Sequence, residues 1–185
     1  MPLSTEPLCA RCARHQRTCC QDTEVYLSPA DRDRLIAWSG RDDLLRWKVA
    51  TPEYIDVEGD PTWAYLVFRP DGSRRLLAQG ADGDCVLLGP QGCTAPAEVR
   101  PLICRLYPLQ YTEAGLQGAA GVCPVHLLGP DEALLSSIGV DREQSERLRQ
   151  QLYAELWLEL DELKRDEEGP AGLSPSPLTR PAAPR

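Results

Sequence analysis

The chain has 185 residues, of which 42% are hydrophobic and 26% charged, and a formal net charge of −8 at pH 7. That length accommodates one domain with a buried core plus a tail, and the acidic balance argues against nonspecific nucleic-acid binding. No run of about 18 apolar residues occurs, so no transmembrane helix is expected.

The opening Met1-Pro2-Leu3-Ser4-Thr5-Glu6-Pro7 has no basic region followed by an apolar stretch, so no export signal is expected. The expected compartment is therefore the reducing cytoplasm, where disulfides do not persist. Cys9, Cys12, Cys19 and Cys20 then fall in a short polar segment that reads as irregular. Arg11, Arg14 and Arg17 outweigh Glu6 there, and positive charge beside a thiol favours thiolate.

Ser28-Pro29-Ala30-Asp31 predicts a helix start: Ser28 as the cap, Pro29 in the first turn and Asp31 at the positive end of the dipole. Leu35, Ile36 and Trp38 give that helix a side to bury, and Gly40 can end it. Residues 42–50 predict a further helical stretch through Leu44, Leu45 and Trp47. Residues 63–68 read as a strand, Pro70-Asp71-Gly72-Ser73 as a turn, and Leu76-Leu77 as the returning strand of a hairpin. Residues 85–88, Gly89-Pro90-Gln91-Gly92 and Cys93 predict a second strand and tight turn. A helical turn is expected over 97–106, stopping before Pro108, with short strands at 109–112 and 116–122.

Leu148, Leu152, Leu156, Leu160 and Leu163 recur at helical spacing, widened by Tyr153 and Trp157. Asp141 and Gln144 resemble a capping box at the start of this helix. Such a face usually covers a core; the alternative is that helix 141–168 docks a protein partner. Residues 169–185 are Pro-rich and expected to be disordered. The expected organisation is a cysteine-cluster metal-binding domain over 1–128, a helical extension packed on it over 129–168, and the tail. Formal charge is −3 for residues 1–128 and −5 for 129–185.

Eight cysteines are the chemical signal. The first four are spaced Cys9-x2-Cys12-x6-Cys19-Cys20 and the second four Cys85-x7-Cys93-x10-Cys104-x18-Cys123. A Cys-x2-Cys step aims two sulfurs at one ion, and zinc sites and iron–sulfur clusters share it. Adjacent Cys19 and Cys20 have diverging side chains in extended backbone, so the pair serves two metal atoms or divides into a ligand and a supporting thiol. Gly89, Pro90 and Gly92 let the chain reverse between Cys85 and Cys93. Arg100 and Arg105 flank Cys104 and offer charge to an anionic thiolate cluster. His15 and His126 lie near cysteines as candidate extra ligands, although a surface or core imidazole is the commoner role.

The first cluster together with Cys85, Cys93, Arg100-Pro101-x2-Cys104-Arg105-x-Tyr107-Pro108 and Cys123-Pro124 resembles the YkgJ-type cysteine-cluster family. The resemblance covers roughly residues 9–124 and implies a zinc- or iron-chelating domain with all eight cysteines as candidate ligands. Thr94-Ala95-Pro96 stands where family members often carry an aromatic residue. A similar cysteine region occurs in flagellin lysine N-methylases, which implies an enzyme alternative.

The expected fold is therefore α+β: a small metal-organised domain with a short antiparallel sheet, several helices and a long C-terminal amphipathic helix. The expected function is metal binding, with an iron–sulfur cluster preferred over zinc. A cluster-dependent enzyme acting on a protein side chain, with Asp82-Gly83-Asp84 near its site, and a structural zinc interaction module are the alternatives. Asp and Gly dominate turns in any case. No Gly-rich nucleotide loop supports the enzyme on its own.

Overall fold

In the structure, a computed structural model, residues 8–15, 18–21, 23–51, 60–120 and 123–168 are described. The tail expected over 169–185 lies outside them. Leu8–His15 forms helix α1 rather than the irregular segment expected there. Its Ala and Arg residues are good helix formers, and Leu8 and Cys12, four apart on one face, are both buried.

Helix α2, Pro29–Ser39, starts as the sequence predicts. The Ser28 hydroxyl accepts from the Asp31 amide while the Asp31 carboxylate accepts from the Ser28 amide, a reciprocal capping box with Pro29 in the first turn. Gly40, at φ +67°, closes the helix by donating to the Ile36 carbonyl at 2.8 Å. Its inward side is Asp31 and Leu35; Ile36 and Trp38 are 36% and 40% exposed, against expectation.

Two segments exchange the secondary structure expected of them. Leu45–Val49 is strand β1, not helix, and Pro61–Val67 is helix α3, not strand. At α3 the local start signal wins: Asp60 accepts from the Trp63 amide at 3.0 Å and Pro61 occupies the first turn. Packing then overrides the strand preference of its aromatic residues, because Trp63 meets Tyr26, Tyr111 and Tyr153 edge-on. The turn around Gly72, at φ +76°, leads into β2, Ser73–Leu77, and that strand pairs antiparallel with β1 from Leu45↔Leu77 to Val49↔Ser73. The Arg69 guanidinium lies 3.2 Å from the centroid of the Trp47 ring and covers it.

The tight turn expected between Cys85 and Cys93 is present. Leu88–Gly89 (β3) and Gly92–Cys93 (β4) pair with Leu88 opposite Cys93, and Gly92 takes φ +100°. Leu102–Leu106 forms α4, ahead of a cis Tyr107–Pro108 peptide. Leu109–Thr112 (β5) and Gly115–Ala119 (β6) form the next antiparallel pair. A single helical turn at Val125–Leu127 and the short α5, Leu134–Ser137, lead to α6, Arg142–Glu168. Asp141 accepts from the Gln144 amide at 2.7 Å, capping α6 where the sequence predicts. The architecture is α+β, with short two-stranded antiparallel sheets and a long C-terminal helix.

Two apolar clusters fill the interior. In the first, Leu148, Leu152 and Leu156 of α6 join Tyr26, Val67, Leu76, Leu102, Leu106 and Tyr153. Burying each of these leucines contributes about 1.5–3 kcal/mol. The stripe fades toward the end of α6, where Leu163 is 52% exposed. The second cluster gathers Val25, Leu27, Leu35, Leu44, Leu77, Leu87 and Ala95 with Cys85, and Cys20, Cys93 and Cys104 pack against it. Ala95, two residues after Cys93, is 1% exposed.

Ionic ties cross this interior. Arg75 donates to the Leu27 carbonyl at 2.8 Å and to Glu159 of α6 at 2.6 Å. Buried Glu24 accepts from Lys48 at 2.7 Å and Arg74 at 2.8 Å, tying the chain before α2 to both strands of the β1–β2 pair. Burial raises the Glu24 carboxyl, but the hydrogen bonds from Lys48 and Arg74 outweigh it and hold the group below its ordinary 4.5. A depressed carboxyl stabilises the fold above its unfolded value and loses that contribution as pH falls through the folded one. Glu24→Gln is therefore expected to be less stable than the parent at neutral pH, with the gap closing below pH 4.5. Urea unfolding across that range measures it, and a gap constant with pH would contradict the assignment.

Candidate metal centre

Backbone and side-chain hydrogen bonds bring the cysteine-bearing segments together. In α1, Cys9 and Cys12 are three residues apart on one face. Arg11 between them donates to the Leu127 carbonyl at 2.7 Å and to Glu132 at 2.8 Å, fastening α1 to the turn that follows Cys123-Pro124. Cys19 and Cys20 sit in a turn closed by the Gln21 amide on the Thr18 carbonyl at 3.0 Å, and the Thr18 hydroxyl accepts from the Cys20 amide at 3.2 Å. The Cys20 carbonyl accepts from the Cys85 amide at 2.7 Å, and Gln21 bridges Asp84.

Cys85, Cys93 and Cys104 have fixed local settings. The Leu87 amide donates to the Cys85 sulfur at 3.4 Å. Cys93 ends the β3–β4 hairpin. Cys104 lies on α4, whose leading Leu102 amide is held by buried Asp31 at 3.0 Å.

The thiols act on one another in overlapping groups. Cys104 is pushed well up, by burial first and then by the charges of Cys20, Cys85 and Cys93. Cys85 is raised to about 11, by burial and then by Cys20 and Cys93, against the Leu87 amide. Cys9 is raised by shielding from solvent and by Cys123 and Cys12. Burial raises Cys123, and the hydrogen bond it accepts from the Tyr107 hydroxyl opposes this. Cys19 and Cys20 share a hydrogen bond across the junction. It favours the thiolate at Cys20 and the protonated thiol at Cys19. Burying several thiols together penalises each negative charge, and a bound cation relieves that penalty.

Positive charge comes from Arg100, which favours the thiolates of both Cys9 and Cys20. Arg100 is held in turn by the Ala95 carbonyl at 2.9 Å. Arg105 turns elsewhere, toward Asp31, Glu98 and Arg34. His15 and His126 are both exposed. The carboxylate of Asp82 accepts from the Asp84 amide at 3.2 Å and that of Asp84 from Gln21 at 3.2 Å, so both stabilise a turn. Tyr107 is the contributor to the site that sequence reasoning passed over; its signal was its place three residues after Cys104 in the Arg-Pro-x2-Cys-Arg-x-Tyr-Pro element.

Among the described residues, no three Cys, His, Asp or Glu side chains already form a coordination shell. The sulfurs are gathered within electrostatic reach of one another without closing around a point. The donor set suits thiophilic ions, zinc and iron–sulfur clusters before hard cations such as magnesium or calcium. Among the described residues no helix is long and apolar enough to cross a membrane.

Segments joined in this way, each carrying cysteines, define a thiol-rich chelating domain. The family model described as "Putative zinc- or iron-chelating domain", CxxCxxCC, matches residues 8–124, and the chain belongs to that family. No curated protein and no solved structure matches it.

Proposed function

We propose that this is a cytoplasmic metal-binding protein that holds iron–sulfur or zinc through Cys9, Cys12, Cys19, Cys20, Cys85, Cys93, Cys104 and Cys123, with iron–sulfur preferred. The observation that carries the reading is the hydrogen bond from the Cys85 amide to the Cys20 carbonyl. It joins the two cysteine-bearing stretches across the domain and leaves thiols from both in one apolar cluster. Reduced thiols gathered there gain little from one another, whereas a thiophilic ion converts their mutual repulsion into ligation. Eight thiolates against Arg100 leave a large negative excess, and a cluster of several irons spreads charge over more atoms than a single zinc. A bound cluster supplies electron transfer and a bound zinc supplies fixed structure. The domain reading follows: residues 1–128 bind metal and 129–168 form a helical extension whose α6 lies on the first apolar cluster.

Metal and sulfide analysis with an absorption spectrum, on protein purified without oxygen, tests this. Stoichiometric iron with inorganic sulfide and visible charge-transfer bands is the expected result. Stoichiometric zinc without visible bands would keep the chelating function and overturn the preference for iron–sulfur. Protein that is folded, fully reduced and free of both metals would overturn the function itself.

A further inference from the structure

We infer that the eight cysteines make two separate four-thiol centres: an inner one of Cys20, Cys85, Cys93 and Cys104, and a rim one of Cys9, Cys12, Cys19 and Cys123 that exchanges its metal first. This partition rests on the chelating function proposed above and goes beyond it by dividing the ligands.

The inner four share one environment. Cys85 is a buried member of the second apolar cluster, and Cys20, Cys93 and Cys104 pack against it beside Val86, Leu88, Val99 and Ile103. Their segments are locked to one another by backbone. Cys20 is tied to Cys85 by the 2.7 Å hydrogen bond, Thr94 returns to the Leu87 carbonyl at 2.8 Å, and α4 is anchored through Leu102 on Asp31.

The rim four are held differently. α1 packs on the 125–127 turn and on β4, the strand that carries Cys93, and the Arg11 side chain fastens it to Leu127 and Glu132. Cys9 and Cys19 are exposed, Cys123 is half-buried and Cys12 is buried. Cys19 and Cys20 are adjacent in a turn and their thiols share a hydrogen bond, so the two centres meet at this pair. The electrostatic neighbours overlap but keep this order: Cys104 feels Cys20, Cys85 and Cys93, Cys9 feels Cys123 and Cys12 ahead of Cys20, and Cys19 feels Cys20 and Cys9 ahead of Cys104.

Exposure and weak anchoring set the order of exchange. Local opening costs least where few buried contacts hold a segment, and a chelator in solution must reach the ion. The rim ion therefore leaves first, and the inner ion leaves when the core opens.

The test uses the full chain, stripped anaerobically and reloaded with zinc alone as the probe. Zinc release to a chromophoric chelator is followed in time, with iodoacetamide pulses and peptide mass spectrometry reading which cysteines become free. Two zinc ions per chain are expected, released in two phases at least tenfold apart in rate. Alkylation after the fast phase should fall on Cys9, Cys12, Cys19 and Cys123. Cys9→Ser should abolish the fast phase and keep the slow one. Because the labelling is done on the unaltered protein, a variant that fails to fold does not obscure the answer. One phase with all eight cysteines freed together, or a labelled set mixing Cys85, Cys93 or Cys104 with the rim four, would overturn the partition and leave chelation standing. Failure of the unaltered chain to bind zinc, with iron also absent from protein as purified, would overturn the chelating function instead.

Discussion

Removing the metal under reducing, oxygen-free conditions is expected to unfold the cysteine-bearing half of the protein. Structural zinc in small domains supplies about 10–16 kcal/mol of apparent binding free energy at neutral pH, against a typical net domain stability of about 5–15 kcal/mol. The comparison matters here because the second apolar cluster is built partly from the thiols themselves. Without the metal, that cluster keeps Leu27, Leu35, Leu77 and Leu87, but Cys85 and Cys104 stay crowded among like charges or protonated. Calorimetry should show the melting midpoint falling by tens of degrees or the transition disappearing. Helical signal from α6 should persist in part, because its face packs on the first cluster, which contains no cysteine. A stripped protein with an unchanged midpoint would show that the thiols do not build the fold through metal.

Asp31→Ala is expected to cost about 3 kcal/mol, a large effect for a polar side chain. The Asp31 carboxylate accepts from the Ser28 amide at 3.2 Å and the Leu102 amide at 3.0 Å, and pairs with Arg34. Truncation leaves the buried Leu102 amide without its acceptor, at about 1–3 kcal/mol, and removes half of a capping box, typically worth about 1 kcal/mol. Arg34 retains Glu155 at 3.4 Å, so its charge keeps a partner. Burial raises the Asp31 carboxyl, against Arg34 and the two amides that pull it down. Asp31→Asn, which keeps an acceptor oxygen, should therefore lose much less than the alanine variant. Denaturant unfolding of the two variants provides the comparison. Equal losses would mean that the charge, not the acceptor, is what matters. Because Leu102 begins the helix that carries Cys104, the alanine variant should also hold metal less tightly.

Wherever a local signal was strong, the sequence and the structure agree. The Ser28–Asp31 box, the Gly40 stop, the glycine turn before Cys93 and the leucine face of α6 all follow from chemistry within a few residues. The disagreements arise where distant partners decide, or, at α1 and α3, where a local helix signal was outweighed by the reading of irregular or strand-forming residues. Residues 45–49 become a strand because 73–77 lies alongside, and nothing between them announces that pairing. Trp63 sits in a helix because Asp60 and Pro61 start one and three tyrosines surround the indole. The cysteines were legible as a set, and the adjacent Cys19–Cys20 pair already hinted at two destinations. The bond from Cys85 to Cys20 and the grip of Arg11 on Leu127, which join the cysteine-bearing segments, are tertiary, and spacing carries neither. Tyr107 was visible as part of a motif, but its contact with Cys123 is tertiary.

The fastening of α1 to the stretch after Cys123 has a consequence for biosynthesis. Cys9 and Cys12 leave the ribosome well before the Leu127 carbonyl that Arg11 grips and before Cys123. A nascent chain therefore carries Cys9 and Cys12 without this contact until residues 127–132 have emerged.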